Sequence, residues 1–293
     1  MPPVGDAAIP WKRLGLLVAL HLAFLVALLV ATDLEVGWNL DDGAYATQVK
    51  VLEQTDGWAY PYLHRDDDPT SRFAPVSHST VTVDGTYPYA KFPAWALVLR
   101  TTARLGPVGG LYVLPVAGAV LAALLGAVVA SRLAPGAGPA TYGVLALGPL
   151  VVHADALWAH SVAAALGGAA ALALVALAQD RARWFHRVGL VAAAAGWCLI
   201  RGEGPLATVA LALVAAALGA VADGAGAAGG STRSWNERLR RAALWGGSPS
   251  AAGAVAALAS ARWSAAVAPG AAVTTTDEAV ATYGLVEARV RGA

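Results

Sequence analysis

Two adjacent carboxylates, Asp41 and Asp42, stand in the stretch Val36-Gly37-Trp38-Asn39-Leu40-Asp41-Asp42-Gly43-Ala44-Tyr45, directly after an apolar run from Leu14 to Ala31. Carboxylates at such a place can take a proton from an attacking hydroxyl, hold a metal ion, or cap the helix that follows. Further along come Lys91 between Pro88 and Pro93, the pair Asp155 and His160, and Arg201 beside Glu203. Fixed cations such as Lys91 and Arg201 suit a phosphate that departs with developing charge. Each group also has a plainer use. Lys91 can snorkel at a membrane interface, and Arg201 with Glu203 can be a structural ion pair. Asp155 and His160 can satisfy each other or nearby backbone, or form a second acidic or metal-binding site. The run Asp66-Asp67-Asp68 ahead of Pro69 reads as a solvated turn. Nothing in the chain spells a metal box, a phosphate-binding Walker loop or a hydrolytic triad.

The elements that must position these groups belong to a membrane. Of 293 residues 57% are hydrophobic and 13% charged, where a soluble domain carries about 25% charged residues. Apolar runs of about 18 residues or more are long enough to cross a bilayer as helices. The net charge of +1 and the scatter of basic residues over loops give no nucleic-acid footprint. A single cysteine, Cys198, excludes an intrachain disulfide and a cysteine-cluster metal site. Lys12 and Arg13 precede a core longer than that of a signal peptide, so an uncleaved first span is expected. His21 within it reads as a helix-packing residue.

The pattern predicts an all-α membrane protein, a polytopic bundle of about seven spans. Span one is followed by a long polar loop, residues 32–107, carrying short interfacial helices. In that loop Gly43 to Gln54 is expected to be helical, capped by Asp41 or Asp42, with Tyr45, Val49 and Leu52 lying flat on the membrane. Residues 65–85 read as irregular loop, and Ala94 to Leu99 as a piece too short to span. Further spans are expected near Val108–Ala130, Ala140–Val152, Ser161–Ala178, Val188–Ile200 and Leu206–Ala222. A weaker seventh, Ala242–Ala261, is interrupted by Gly246-Gly247-Ser248-Pro249. This divides the chain into a membrane domain, 1–262, and a polar outer tail, 263–293. With the N-terminus in the cytoplasm, the loops at Arg132, at Arg181 to Arg187 and at Arg233 to Arg241 all fall inside, as positive charge requires. Trp38, Trp158, Trp184 and Trp263 lie near span ends, in the manner of an aromatic belt. The same arrangement puts Asp41, Asp42, Lys91, Asp155, His160, Arg201 and Glu203 on the outer face. Ionisable groups at membrane depth are costly, which makes their gathering the main functional signal.

At these residues the chain resembles the glycosyltransferase-C superfamily, in particular its family 39-like members of the protein mannosyltransferase and aminoarabinose transferase type. The matching features are Asp41-Asp42-Gly43-Ala44-Tyr45 after the first span, Tyr89-Ala90-Lys91-Phe92-Pro93, Trp158-Ala159-His160 and Arg201-Gly202-Glu203, in the family's order over roughly residues 10–260. Two departures stand out: the family has Asp-Glu where this chain has Asp41-Asp42, and often Lys-His-Pro where it has Lys91-Phe92-Pro93. Members also have more spans, some with an outer C-terminal domain, so the chain is expected to be a fragment or a truncated gene product that lacks part of the site.

The resemblance implies a cell-membrane enzyme that moves a sugar from a polyprenyl-phosphate donor to a lipid, glycan or protein acceptor outside the cytoplasm. It gives Asp41 the role of general base and makes Asp42 its orienting partner or a metal ligand. Tyr45, Lys91, His160, Arg201 and Glu203 become substrate-binding positions. No cofactor is fixed by the pattern; a divalent metal is compatible with it, with Asp42 and Asp155 as ligands. Two other classes fit a polytopic chain, a transporter or flippase and a non-catalytic scaffold. A transporter would show inverted repeats and mid-span charges, and neither is visible.

Overall fold

The computed structural model of the chain describes residues 9–32, 40–55, 57–61, 86–88, 92–106, 109–179, 181–221 and 234–267. The described residues form a helical bundle with one short antiparallel ribbon. In order come α1 (Trp11–Ala31), α2 (Leu40–Thr55), β1 (Ala59–Pro61), β2 (Thr86–Pro88), α3 (Pro93–Ala103), α4 (Gly109–Leu133), α5 (Gly138–Ala146) and α6 (Leu150–Ala154). The chain continues with α7 (His160–Ala178), α8 (Trp184–Ile200), α9 (Gly204–Val221) and α10 (Trp235–Val267).

Four helices, α1, α4, α7 and α9, are long and apolar enough to cross a membrane, and α8 is a shorter apolar helix. Their outward faces keep large apolar side chains in the open, among them Leu16, Leu20, Val30, Leu121, Val209 and Leu213. A water-soluble bundle would hide such a belt; lipid tolerates it. The chain is thus a helical membrane protein.

α4 sits at the centre of the first half, packed on α7, α5, α6, α3 and α1, while α8 joins α7 to α9 and α10. The larger core gathers side chains from α1 through α7, and a second, alanine-rich core lies among α7, α8, α9 and α10. Small residues let these helices close up, since packing rather than water exclusion drives association in lipid. A Cβ at Gly118 of α4 would lie 2.7 Å from the Val162 backbone nitrogen of α7. One at Gly246 of α10 would lie 2.6 Å from the Ala216 Cβ of α9. His21 packs inside as expected, 3.1 Å from the Tyr142 hydroxyl, which ties α1 to α5.

Four expectations change. The third apolar segment is not one helix: it breaks after Ala146 and restarts at Leu150, because Pro149 offers no N–H to continue the ladder. The last segment, by contrast, is unbroken through Pro249. Pro249 removes only the donor to the Trp245 carbonyl and the helix continues on either side of it, with Ser248 Oγ and Ser250 Oγ adding second donors at 2.9 Å to the flanking Leu244 and Gly246 carbonyls. This helix also passes the expected 262/263 boundary and ends at Val267. Within the long loop, β1 pairs with β2 (Tyr60 opposite Tyr87), a ribbon not expected from the sequence, and residues 65–85, expected as irregular loop, lie outside the described residues. Finally, the apolar faces of α2 and α3 pack on the bundle. Tyr45, Val49 and Leu52 of α2, and Trp95, Ala96 and Leu99 of α3, are buried in the larger core, facing protein rather than lipid.

Candidate functional site

The segment from His153 to His160 is where the scattered polar groups meet. It links the C-terminal end of α6 to the start of α7, and α1, α2, α3 and α8 all send a group to it.

Leu157 is held through its own backbone. Its N–H donates to Asp42 Oδ1 of α2 at 2.8 Å, and its carbonyl accepts from the Trp95 indole of α3 at 2.7 Å. Trp95 is placed by Pro93, which starts α3 with a preset backbone angle. α2 begins at Leu40, so Asp41 and Asp42 lie inside its first turn rather than capping a helix that starts at Gly43. Asp42 is 1% exposed, and its carboxylate serves as a positioning group for the 153–160 segment. Asp155, also buried, accepts from the Thr32 hydroxyl at the end of α1 at 3.4 Å. Tyr112, near the start of α4, lies within electrostatic reach of both carboxylates.

On the other side of the segment the groups are cationic and aromatic. The His153 and His160 rings stack with centroids 4.6 Å apart, and Trp158 tilts against His160 at 4.9 Å. Arg201, in the turn between α8 and α9, places Nη1 3.0 Å from His160 Nδ1 and Nε 2.7 Å from Glu203 Oε1. Its Nη2 donates to that same glutamate oxygen. Arginine carries donors only, so His160 Nδ1 is the acceptor and the ring is unprotonated there. For Glu203, partial burial pushes the carboxyl up. The hydrogen bond from Arg201, the glutamate's own backbone N–H and the charge of Arg201 outweigh that, so the net shift is downward.

Of the expected site residues, Asp42, Asp155, His160, Arg201 and Glu203 are brought to this one end of the bundle. Tyr45 is buried in the larger core one turn along α2 from Asp42. For Asp41 the backbone alone is described, and Lys91 lies outside the described residues. Its neighbour Phe92 packs over Gly202, where a Cβ would meet the ring at 3.4 Å. The groups that sequence reasoning missed are Thr32, Trp95, Tyr112 and His153. Of these only His153, spaced with Asp155 and His160, left a sequence signal. Asp155 accepts from Thr32 while His160 meets Arg201.

Among the described residues there is no group of three or more His, Cys, Asp or Glu side chains arranged to hold a metal ion. Two polar atoms of the segment, His153 Nδ1 and Trp158 Nε1, and Ser161 Oγ just beyond it, are buried without a hydrogen-bond partner among the described residues. The arrangement suits an anion: a guanidinium fixed by a neutral imidazole, at the end where α4, α7 and α9 begin and their N-terminal partial charges collect. No protein family, curated protein or solved structure matches the chain.

Proposed function

We propose that this protein is a membrane glycosyltransferase of the glycosyltransferase-C type, transferring a sugar from a polyprenyl-phosphate donor to an acceptor on the extracytoplasmic side. The observation that carries the reading is the junction at residues 153–160, where the acidic start of α2 and the Arg201–His160 pair are fastened to one turn at one end of an apolar bundle. Seven crossings complete the topology: α1, α4, the broken pair α5–α6, α7, α8, α9 and α10. The basic loops then lie in the cytoplasm and the site lies outside, at the plasma membrane.

In the reaction, Asp41 takes the proton of the acceptor hydroxyl as that oxygen attacks the anomeric carbon from the face opposite the phosphate. One carbon–oxygen bond forms as the other breaks, the configuration inverts, and polyprenyl phosphate departs toward Arg201 and Lys91. Fixed cations lower the barrier most where charge develops. Asp42 contributes indirectly, by fixing the α2 helix that carries Asp41. His160 supplies the imidazole that the departure at Phe92 removes, and it does so by holding Arg201.

The test is transfer of labelled sugar from a polyprenyl-phosphate donor in membranes containing the protein. Asp41→Asn is expected to lower the rate by about 100-fold or more, in the range for loss of a general base. Near-full activity of that variant removes Asp41 from the role.

A further inference from the structure

The turn between α8 and α9 holds a feature that the sugar-transfer reading does not use: the cation meant for phosphate is already occupied. Arg201 turns its Nε and Nη2 edge toward Glu203, and both donors go to the single oxygen Oε1. That edge is a fork matched to two oxygens side by side, as on a phosphate. Glu203 therefore satisfies it incompletely.

Burial is uneven across the pair. The Arg201 side chain is 23% exposed and the Glu203 side chain 60%. Arg201 is also held from behind by His160, and its backbone N–H closes the last turn of α8 on the Trp197 carbonyl. The Glu203 backbone is fixed too, its carbonyl accepting from Ala207 at the start of α9. Only the glutamate side chain is free to leave, by rotating toward water. Exposed ion pairs of this kind are weak, so exchange for a better-fitting anion costs little.

We infer that Glu203 is an exchangeable internal anion: it occupies Arg201 while the site is empty and swings out when the phosphate of a lipid-linked substrate takes its place. The inference rests on the sugar-transfer reading for the nature of the substrate, and it adds a gate to that site. The exchange keeps Arg201 neutralised at the membrane surface between turnovers. It also sets a threshold that dianionic or bidentate phosphates pass and weakly basic anions do not.

The experiment is equilibrium binding to the full chain in detergent, comparing wild type, Glu203→Gln and Arg201→Gln. The probes are farnesyl monophosphate, farnesol as the phosphate-free control, and inorganic phosphate. Glu203→Gln is expected to bind farnesyl monophosphate about fivefold more tightly than wild type, the affinity released when a weak competing ion pair is removed. Farnesol binding stays unchanged, and adding Arg201→Gln to Glu203→Gln abolishes the gain. Tightening with inorganic phosphate as well supports exchange by a bare phosphate, and tightening with the lipid alone supports a lipid-borne one. Equal or weaker binding by Glu203→Gln, with Arg201 still required, overturns the gate and leaves the sugar-transfer reading standing. If neither protein binds either phosphate probe, the gate and that reading both fall. Glu203→Gln is isosteric and exposed, and a far-UV circular dichroism spectrum matching that of wild type separates its effect from misfolding.

Discussion

At the scale of single residues, Asp42 and the two stacked imidazoles carry most of the site's order. Replacing Asp42 with alanine leaves the buried Leu157 N–H without an acceptor, a loss of about 1–3 kcal/mol. The expected outcome is a melting temperature in detergent lowered by several degrees, with Asp42→Asn falling less because its amide oxygen still accepts. Acid should loosen the same end. Partial burial pushes the Glu203 carboxyl up, but the hydrogen bond and charge of Arg201 outweigh it, so the net shift is downward: its contribution is present above the ordinary carboxylate range and disappears as pH drops through that range. Melting curves from pH 8 to pH 4 should show the decline, and Glu203→Gln should flatten it. A stability that rises on acidification would contradict the assignment.

At the scale of elements, apolar length was readable and local interruption was not. α1, α4, α7 and α9 stand within a few residues of their expected bounds, because a long run without charge has little else to do. Proline misled in both directions. Pro149 broke a segment read as continuous, while Pro249 left continuous a segment read as interrupted, since it costs that helix a single donor, at the Trp245 carbonyl. The amphipathic face of α2 was correctly seen, but its partner was not, as spacing cannot tell a protein core from a lipid surface. Arg201 with Glu203 was legible as a pair; the Leu157 junction was illegible, because a backbone group accepts or donates without regard to residue type. Close helix contact offers a sharper test. Gly246→Leu drives a side chain into Ala216 and the Ala212 carbonyl of α9, and overpacking of this kind costs about 1–3 kcal/mol. Faster limited proteolysis between α9 and α10 is the expected readout, while Gly247→Ala, where a Cβ meets open space, should behave as wild type.

At the scale of the whole molecule, polar chemistry gathers at one end and basic loops at the other. Gln179 of the turn after α7 reaches the Arg132 carbonyl at the end of α4, and Arg187 near the start of α8 binds Ser248. Trp58 meets Trp263 edge to face at the site end, where α10 finishes. Sidedness can be tested with single cysteines in a chain whose native Cys198 is buried. Glu53→Cys should react with a membrane-impermeant maleimide on intact cells, and Arg240→Cys only after permeabilisation. The reverse pattern would put the site in the cytoplasm and end the proposed reaction.

The grip on Leu157 falls on a peptide group, something every residue type possesses. Any apolar side chain of similar bulk at 157 leaves both fasteners in place, whereas a change at Asp42 or Trp95 undoes one of them. The seam between the long loop and the bundle is therefore inscribed on one side only: two partners are obliged to stay what they are, and the third is at liberty to drift.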